Sequence, residues 1–157
     1  MGERYLKSIR LLAECMQGFE RLSSEHARLN GLTHPQFDII ATLGNTPGMT
    51  YKELGEKTLI TKGTLTGVIE RLEQKGLVER QRNDCDKRSF FVRLTASGEA
   101  AFDTAFPKMM VMGKTVFTDY REDDFAALEK TLSELKTAIM AGAPGCASTP
   151  DPTKENI

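Results

Sequence analysis

The sequence contains no apolar run approaching the roughly 20 residues that a membrane-spanning helix needs. Cysteine is sparse: Cys15, Cys85 and Cys146 lie far apart, and none has a partner at CxxC spacing. This excludes a disulfide framework and a thiolate zinc site, and it reads as a reduced, cytoplasmic protein. The opening Met1-Gly2-Glu3-Arg4-Tyr5 is charged within its first turn and does not read as a signal peptide. Histidine is scarce too. His26 and His34 converge with no acids or cysteines at metal-ligand spacing, so neither a metal nor another cofactor is expected. No nucleophile–base pair, phosphate loop or paired carboxylates stand out, which argues against an enzyme.

An excess of positive charge is also missing, since the net charge is −1. Its distribution is more informative. From Thr61 to Arg93 eight Lys/Arg face five acids, so this segment is +3 while the rest of the chain is −4. A local basic face of this kind is the electrostatic footprint of nucleic-acid binding. With 157 residues, the chain can form one domain, or a small domain with an oligomerising extension.

Helical periodicity dominates. Tyr5, Ile9, Leu12, Met16, Phe19, Leu22, His26 and Leu29 recur at steps of three and four, with His26 as the one polar member, and Gly31 ends that helix. Thr33-His34-Pro35-Gln36 is a capping box opening a second helix with Phe37, Ile40, Ala41 and Leu43 on its apolar face. After a Gly44–Gly48 loop, Thr50-Tyr51-Lys52-Glu53 is a second capping box, for a short helix ending near Thr58. Thr61 is placed to cap the next helix, which runs to about Lys75, buries Leu65, Val68, Ile69 and Leu72, and stops at Gly76. The period then falls to two. Leu77–Arg82 and Ser89–Leu94 read as the strands of a hairpin, with Phe90, Val92 and Leu94 on one face. A long helix follows from Thr95, with a kink expected at Pro107. A last helix, about Glu122–Met140, carries the near coiled-coil seam Phe125, Leu128, Leu132, Leu135 and Ile139.

Two helices joined by the three residues Leu59–Thr61 form a helix-turn-helix, whose second helix is the one expected in a DNA major groove. The hairpin directly after it carries Lys87 and Arg88 at its tip, flanked by Arg80 and Arg82. Such groups reach phosphates or enter a minor groove. Helix-turn-helix plus basic hairpin is a winged helix. The fold class is therefore mainly α with a small β-hairpin wing, plus N- and C-terminal helices for dimerisation. A small winged domain cannot cover both the seam with Leu128, Leu132, Leu135 and Ile139 and the stripe with Tyr5, Ile9 and Leu12, so a homodimer is expected. The expected divisions are a dimerisation helix at 1–32, the winged domain at 33–95, dimerisation helices at 96–141 and a disordered tail at 142–157.

Leu65-Thr66-Gly67-Val68-Ile69-Glu70-Arg71-Leu72-Glu73-Gln74-Lys75-Gly76-Leu77-Val78-Glu79-Arg80 resembles the recognition helix and first wing strand of the MarR (multiple antibiotic resistance regulator) family. Asp86-Lys87-Arg88 followed by a strand and Leu94-Thr95-Ala96-Ser97-Gly98 is similar to that family's wing signature, and Leu32-Thr33-His34-Pro35-Gln36-Phe37 to the start of its second helix. The resemblance covers about Arg4 to Ala141. It implies a dimeric transcription regulator on palindromic double-stranded DNA, usually a repressor released by a small aromatic effector. By the same resemblance Asp86 braces the wing, Arg88 is the wing-tip DNA contact, and Thr61, Lys62, Thr64 and Thr66 face the groove or its phosphates. Arg71, Arg82 and Lys87 complete the expected DNA-binding set.

One departure stands out. Gly67 occupies a position where many members have arginine, and Gly63 is a second glycine in the same helix. Each costs roughly 1 kcal/mol of helix stability relative to alanine. Close approach of the backbone to DNA would compensate, with specificity leaning on the wing and on DNA shape. Met16, Phe19, Phe106 and Met109 are candidates for an effector pocket, or else plain core. Two alternatives to an effector-released repressor are a redox-responsive regulator sensing through Cys15 or Cys85, and a winged helix used for protein contact. Cys15 among Leu11, Leu12, Met16 and Phe19 reads as a blunted thiol.

Overall fold

The computed structural model describes residues 3–82, 84 and 90–142. Among these residues six helices and three strands follow one another as α1 (Arg4–Leu29), α2 (His34–Leu43), β1 (Met49–Thr50), α3 (Tyr51–Thr58), α4 (Lys62–Gln74), β2 (Val78–Arg82), β3 (Phe90–Leu94), α5 (Ala96–Val116) and α6 (Glu122–Gly142). Residues up to Lys114 form one compact unit and those from Thr115 a second.

Local chemistry sets the boundaries. Thr33 and Thr50 each head a complete capping box, the hydroxyl accepting the N–H of Gln36 or Glu53 while that side chain accepts the cap's own N–H. At the far ends of α1 and α4 the chain turns through Gly31 and Gly76, both at φ +72. Each turn carries the paired hydrogen bonds of a Schellman stop: Leu32 N–H to Ala27 and Gly31 N–H to Arg28, then Leu77 N–H to Leu72 and Gly76 N–H to Glu73. α5 is helical on both sides of Pro107.

The hairpin pairs β2 with β3 antiparallel from Val78↔Leu94 to Arg82↔Phe90. The sequence gives no sign of β1. Its two residues pair with Val92 and Phe91, so β3 becomes the central strand of a three-stranded sheet in the order β1-β3-β2.

The core lies in the first unit. Phe37, Ile39, Ile40 and Leu43 of α2, Leu54 of α3, Leu65, Ile69 and Leu72 of α4, Val78 and Val92 are all essentially inaccessible. The last turn of α1 joins them through His26 and Ala27. The polar member of the α1 stripe is thus one of its buried residues. His26 Nε2 lies 2.9 Å from the Ala105 carbonyl of α5, and its ring meets Phe37 edge-on at 5.4 Å. Because a carbonyl only accepts, Nε2 carries the proton. The remaining apolar stripe residues are not buried, and Tyr5 and Ile9 are each 60% exposed.

In the second unit Phe117, Tyr120 and Phe125 form a small aromatic cluster across the α5–α6 turn, with ring centroids 5.1–5.5 Å apart. α6 buries none of its residues.

Candidate nucleic-acid interface

α3 and α4 are joined by Leu59, Ile60 and Thr61, as the spacing predicts. Leu59 takes a left-handed conformation, φ +58, and is 86% exposed. A leucine in that conformation is strained by roughly 1–2 kcal/mol, so the turn is held by its surroundings rather than by its own preference. The Thr58 hydroxyl donates to the Leu54 carbonyl at 2.6 Å and closes the end of α3.

Thr61 stands at the N-cap of α4, but its hydroxyl does not cap. It donates instead to the Thr64 hydroxyl at 3.1 Å. The expected cap is therefore replaced by a pair of surface hydroxyls at the start of the helix, while the Thr61 carbonyl accepts the first helical bonds. Thr61, Lys62, Thr64, Thr66 and Arg71 are all exposed, as is Arg82 at the end of β2. Among the described residues Arg71 has no ion pair. Asp86, Lys87, Arg88 and Cys85 lie outside the described residues.

Burial of Leu65, Val68, Ile69 and Leu72 fixes the orientation of α4. At about 100° per residue, the opposite face runs along Gly63, Gly67, Glu70 and Gln74, with Thr66 and Lys62 on one flank and Arg71 and Thr64 on the other. A Cβ built on Gly63 or Gly67 would meet nothing within 4 Å. The outermost strip of the helix is therefore bare backbone for its first two turns. Gln74 and Glu70 are the side chains nearest to its axis, and the sequence reading included neither among the contacts.

Arg80 is not a free cation. Its Nη2 lies 2.6 Å from Glu73 Oε2 and its Nε donates to the same oxygen at 2.8 Å, while the guanidinium stacks 5.3 Å from the Phe90 ring centre. Arg80 thus fastens the wing strands to α4 rather than reaching for phosphate. The pattern that hides this in the sequence is a contact from a helix to a strand seven residues on. Arg93 pairs across the hairpin with Glu79. Lys75 is also committed, donating to the Gly31 carbonyl at 2.8 Å and to Gln36 Oε1 at 3.1 Å, and so linking the end of α4 to the α1–α2 corner.

The hydrogen bonds from Arg80 hold the Glu73 carboxyl below its ordinary value of 4.5. A carboxyl depressed in the folded state contributes stability above its unfolded value and loses that contribution as pH falls through the folded one. The Arg80–Glu73 anchor is therefore expected to be fully present at about pH 6 and to weaken below about pH 4. Following the Arg80 Nε–H resonance through an acid titration checks this, and Glu73→Gln should abolish the transition.

The Leu94-Thr95-x-x-Gly98 motif has a structural explanation. The Thr95 hydroxyl donates to the Gly76 carbonyl at 2.6 Å and accepts the Gly98 N–H at 3.1 Å, while the Thr95 N–H bonds the Leu77 carbonyl at 3.1 Å. One threonine caps α5 and ties it to the turn that ends α4. Gly98 is buried against the Leu77 carbonyl.

The model of the MarR family matches residues 32–90, from the start of α2 to the root of β3. An uncharacterized HTH-type transcriptional regulator of Bacillus cereus is 30% identical over 119 residues, which span 76% of this chain and 77% of that protein. This chain belongs to the MarR family. It is a DNA-binding transcriptional regulator and not an enzyme. Among solved structures, AbsC, a MarR family transcriptional regulator from Streptomyces coelicolor, shares the fold with a TM-score of 0.79 at 22% identity, over 90% of this chain and 97% of that one. NadR in complex with 4-hydroxyphenylacetate superposes with a TM-score of 0.66 at 24% identity, over 79% and 88% of the two chains. Among the described residues no helix is long and apolar enough to cross a membrane, and no cluster of ligating side chains could hold a metal ion.

The remaining expected site residues of this MarR-family chain fall in different settings. Leu12 and Leu128 are half-buried, and Tyr5, Ile9, Leu132, Leu135 and Ile139 are exposed. Phe106 stacks on Phe102 at 4.8 Å, and with Met109 it packs against the core. Met16 and Phe19 are exposed on α1. Cys15 is exposed as well. Its apolar neighbours Leu11 and Met16 are exposed too, so they do not bury the thiol as its sequence surroundings suggest.

Proposed function

We propose that the chain is a cytoplasmic homodimeric repressor that binds a palindromic operator and is released by a small aromatic effector. The observation that carries the reading is the α4 surface, a bare glycine strip between Lys62 and Arg71, with Arg82 at the end of the adjoining wing strand. Thr61, Lys62, Thr64, Thr66, Arg71, Arg82, Lys87 and Arg88 make the DNA contacts, and Asp86 braces the wing tip.

Dimer formation accounts for the uncovered apolar residues on two separate helices. Tyr5, Ile9 and Leu12 on α1, and Leu128, Leu132, Leu135 and Ile139 on α6, are too apolar to be left in water as long stripes. A two-fold pair would set the two α4 helices near one DNA turn apart, roughly 34 Å. An effector that alters that separation lowers affinity without touching the residues on the DNA. The phenolic acid held by NadR supports an aromatic effector, and Met16, Phe19, Phe106 and Met109 are the side chains assigned to meet it.

The test is a titration of duplex DNA at several salt concentrations. Affinity should fall steeply as salt rises, because each phosphate contact releases counterions. Arg88→Ala should weaken binding about fivefold, the loss of roughly 1 kcal/mol, and leave the sedimentation of the dimer unchanged. Salt-independent binding, or an unaltered affinity for Arg88→Ala, would refute the assignment.

A further inference from the structure

We propose that Glu70 reads the DNA sequence, and that it selects a cytosine through the exocyclic amino group in the major groove. The proposal rests on α4 being the recognition helix.

The outward face of α4 is unusual in its charge. Its axis passes through Gly63, Gly67, Glu70 and Gln74, so the acid sits near the centre while the cations Lys62 and Arg71 stand on the flanks. Phosphates line the two edges of a groove, and base edges form its floor. Flanking cations suit the edges. A carboxylate at the centre meets the floor.

An acid facing DNA is repelled by the backbone unless it is neutralised or accepts hydrogen bonds from base donors. Among the described residues its neutralisation is incomplete. Arg80 directs Nη2 and Nε at Glu73, at 2.6 and 2.8 Å, and approaches Glu70 Oε1 through Nη1 only at 3.7 Å, beyond hydrogen-bonding distance. The Glu70 side chain is half exposed. Arg80 therefore orients Glu70 without satisfying it, and is a positioning residue.

The chemistry of an ionised carboxylate then narrows the base. It accepts and cannot donate. In the major groove the donors are the cytosine N4 and adenine N6 amino groups, but adenine presents its N7 acceptor beside N6 and so repels a second carboxylate oxygen. Cytosine offers its amino group without that adjacent acceptor. The bare strip at Gly63 and Gly67 removes the side chains that would hold the helix away from the floor, which suits a side chain only three bonds long from Cα to its carboxyl carbon.

The test is selection from a random duplex library by the full-length protein, by Glu70→Gln and by Glu73→Gln, followed by affinity measurements on the enriched site with each base at each position. The wild type should enrich cytosine at one position of each half-site. Glu70→Gln should lose that preference or exchange it for adenine, whose N6 and N7 a glutamine matches, and should bind the wild-type site at least tenfold more weakly. Glu73→Gln should weaken all sequences alike and keep the motif. An identical motif and base profile for Glu70→Gln would overturn the proposal, as would a loss spread evenly over all sequences. If the wild type enriched no motif at all, the reading of α4 as a recognition helix would fail first.

Discussion

Gly98→Ala is expected to lower the free energy of unfolding by about 3 kcal/mol, at the upper end of what one overpacked methyl costs. The new Cβ would fall on the Leu77 carbonyl oxygen, well inside van der Waals contact, and would press on Leu94 Cβ at 3.2 Å. Neither neighbour can move alone. The Leu77 carbonyl is held by the Thr95 N–H, Leu77's own N–H closes the end of α4, and the Thr95 hydroxyl ties Gly76 to the first turn of α5. The methyl would therefore pry α5 from the turn between α4 and β2. Urea unfolding followed by circular dichroism measures the loss. Gly63→Ala is the control for helix glycines, because its added methyl meets nothing. A Gly98→Ala midpoint equal to the wild type would show that the junction has room for a methyl.

Gly63→Ala and Gly67→Ala should have effects of opposite sign on stability and on binding. Each should stabilise the protein by up to about 1 kcal/mol, the difference in helix preference between the two residues. Each should also weaken specific DNA binding about tenfold, and the pair about a hundredfold, if a methyl holds the helix back by an overpacking cost of roughly 1.4 kcal/mol per site. Melting curves and duplex titrations on the same preparations separate the two effects. A double variant that is both more stable and equally tight on DNA would show that the glycine strip is not in contact with the nucleic acid.

What could be read from the sequence follows the range of the interactions. The capping boxes at Thr33 and Thr50 and the stops at Gly31 and Gly76 act over a few residues, and both are legible in the chain. The hairpin is legible too, because its alternation is local. Strand β1 is not. Two residues, Met49 and Thr50, become a strand only because β3 passes beside them more than forty positions later. His26 looks like the polar blemish in an apolar stripe until the Ala105 carbonyl arrives from α5.

The candidate site divides in the same way. The α3–α4 pair and the exposure of its basic residues could be argued from spacing. Which arginine is already engaged could not. Arg80 and Arg82 look alike in a list of wing cations, yet Glu73 captures one and leaves the other in solvent. Likewise Lys75 ends as a tie to Gly31 and Gln36 because the α1–α2 corner lies within its reach. The failed cap at Thr61 shows the limit of even a short-range rule, since its hydroxyl found Thr64 instead.

The burial of α1 only at its last turn has a mechanical consequence. A 26-residue helix is about 39 Å long, and one rooted at His26 and Ala27 is a cantilever. A tilt of about 5° at that root would sweep the free tip through roughly 3 Å, several times the thermal displacement of a well-ordered backbone. Whatever held Tyr5 and Ile9 would therefore act with a long moment arm on the corner beside α2, and a small force at the tip would become a large torque there.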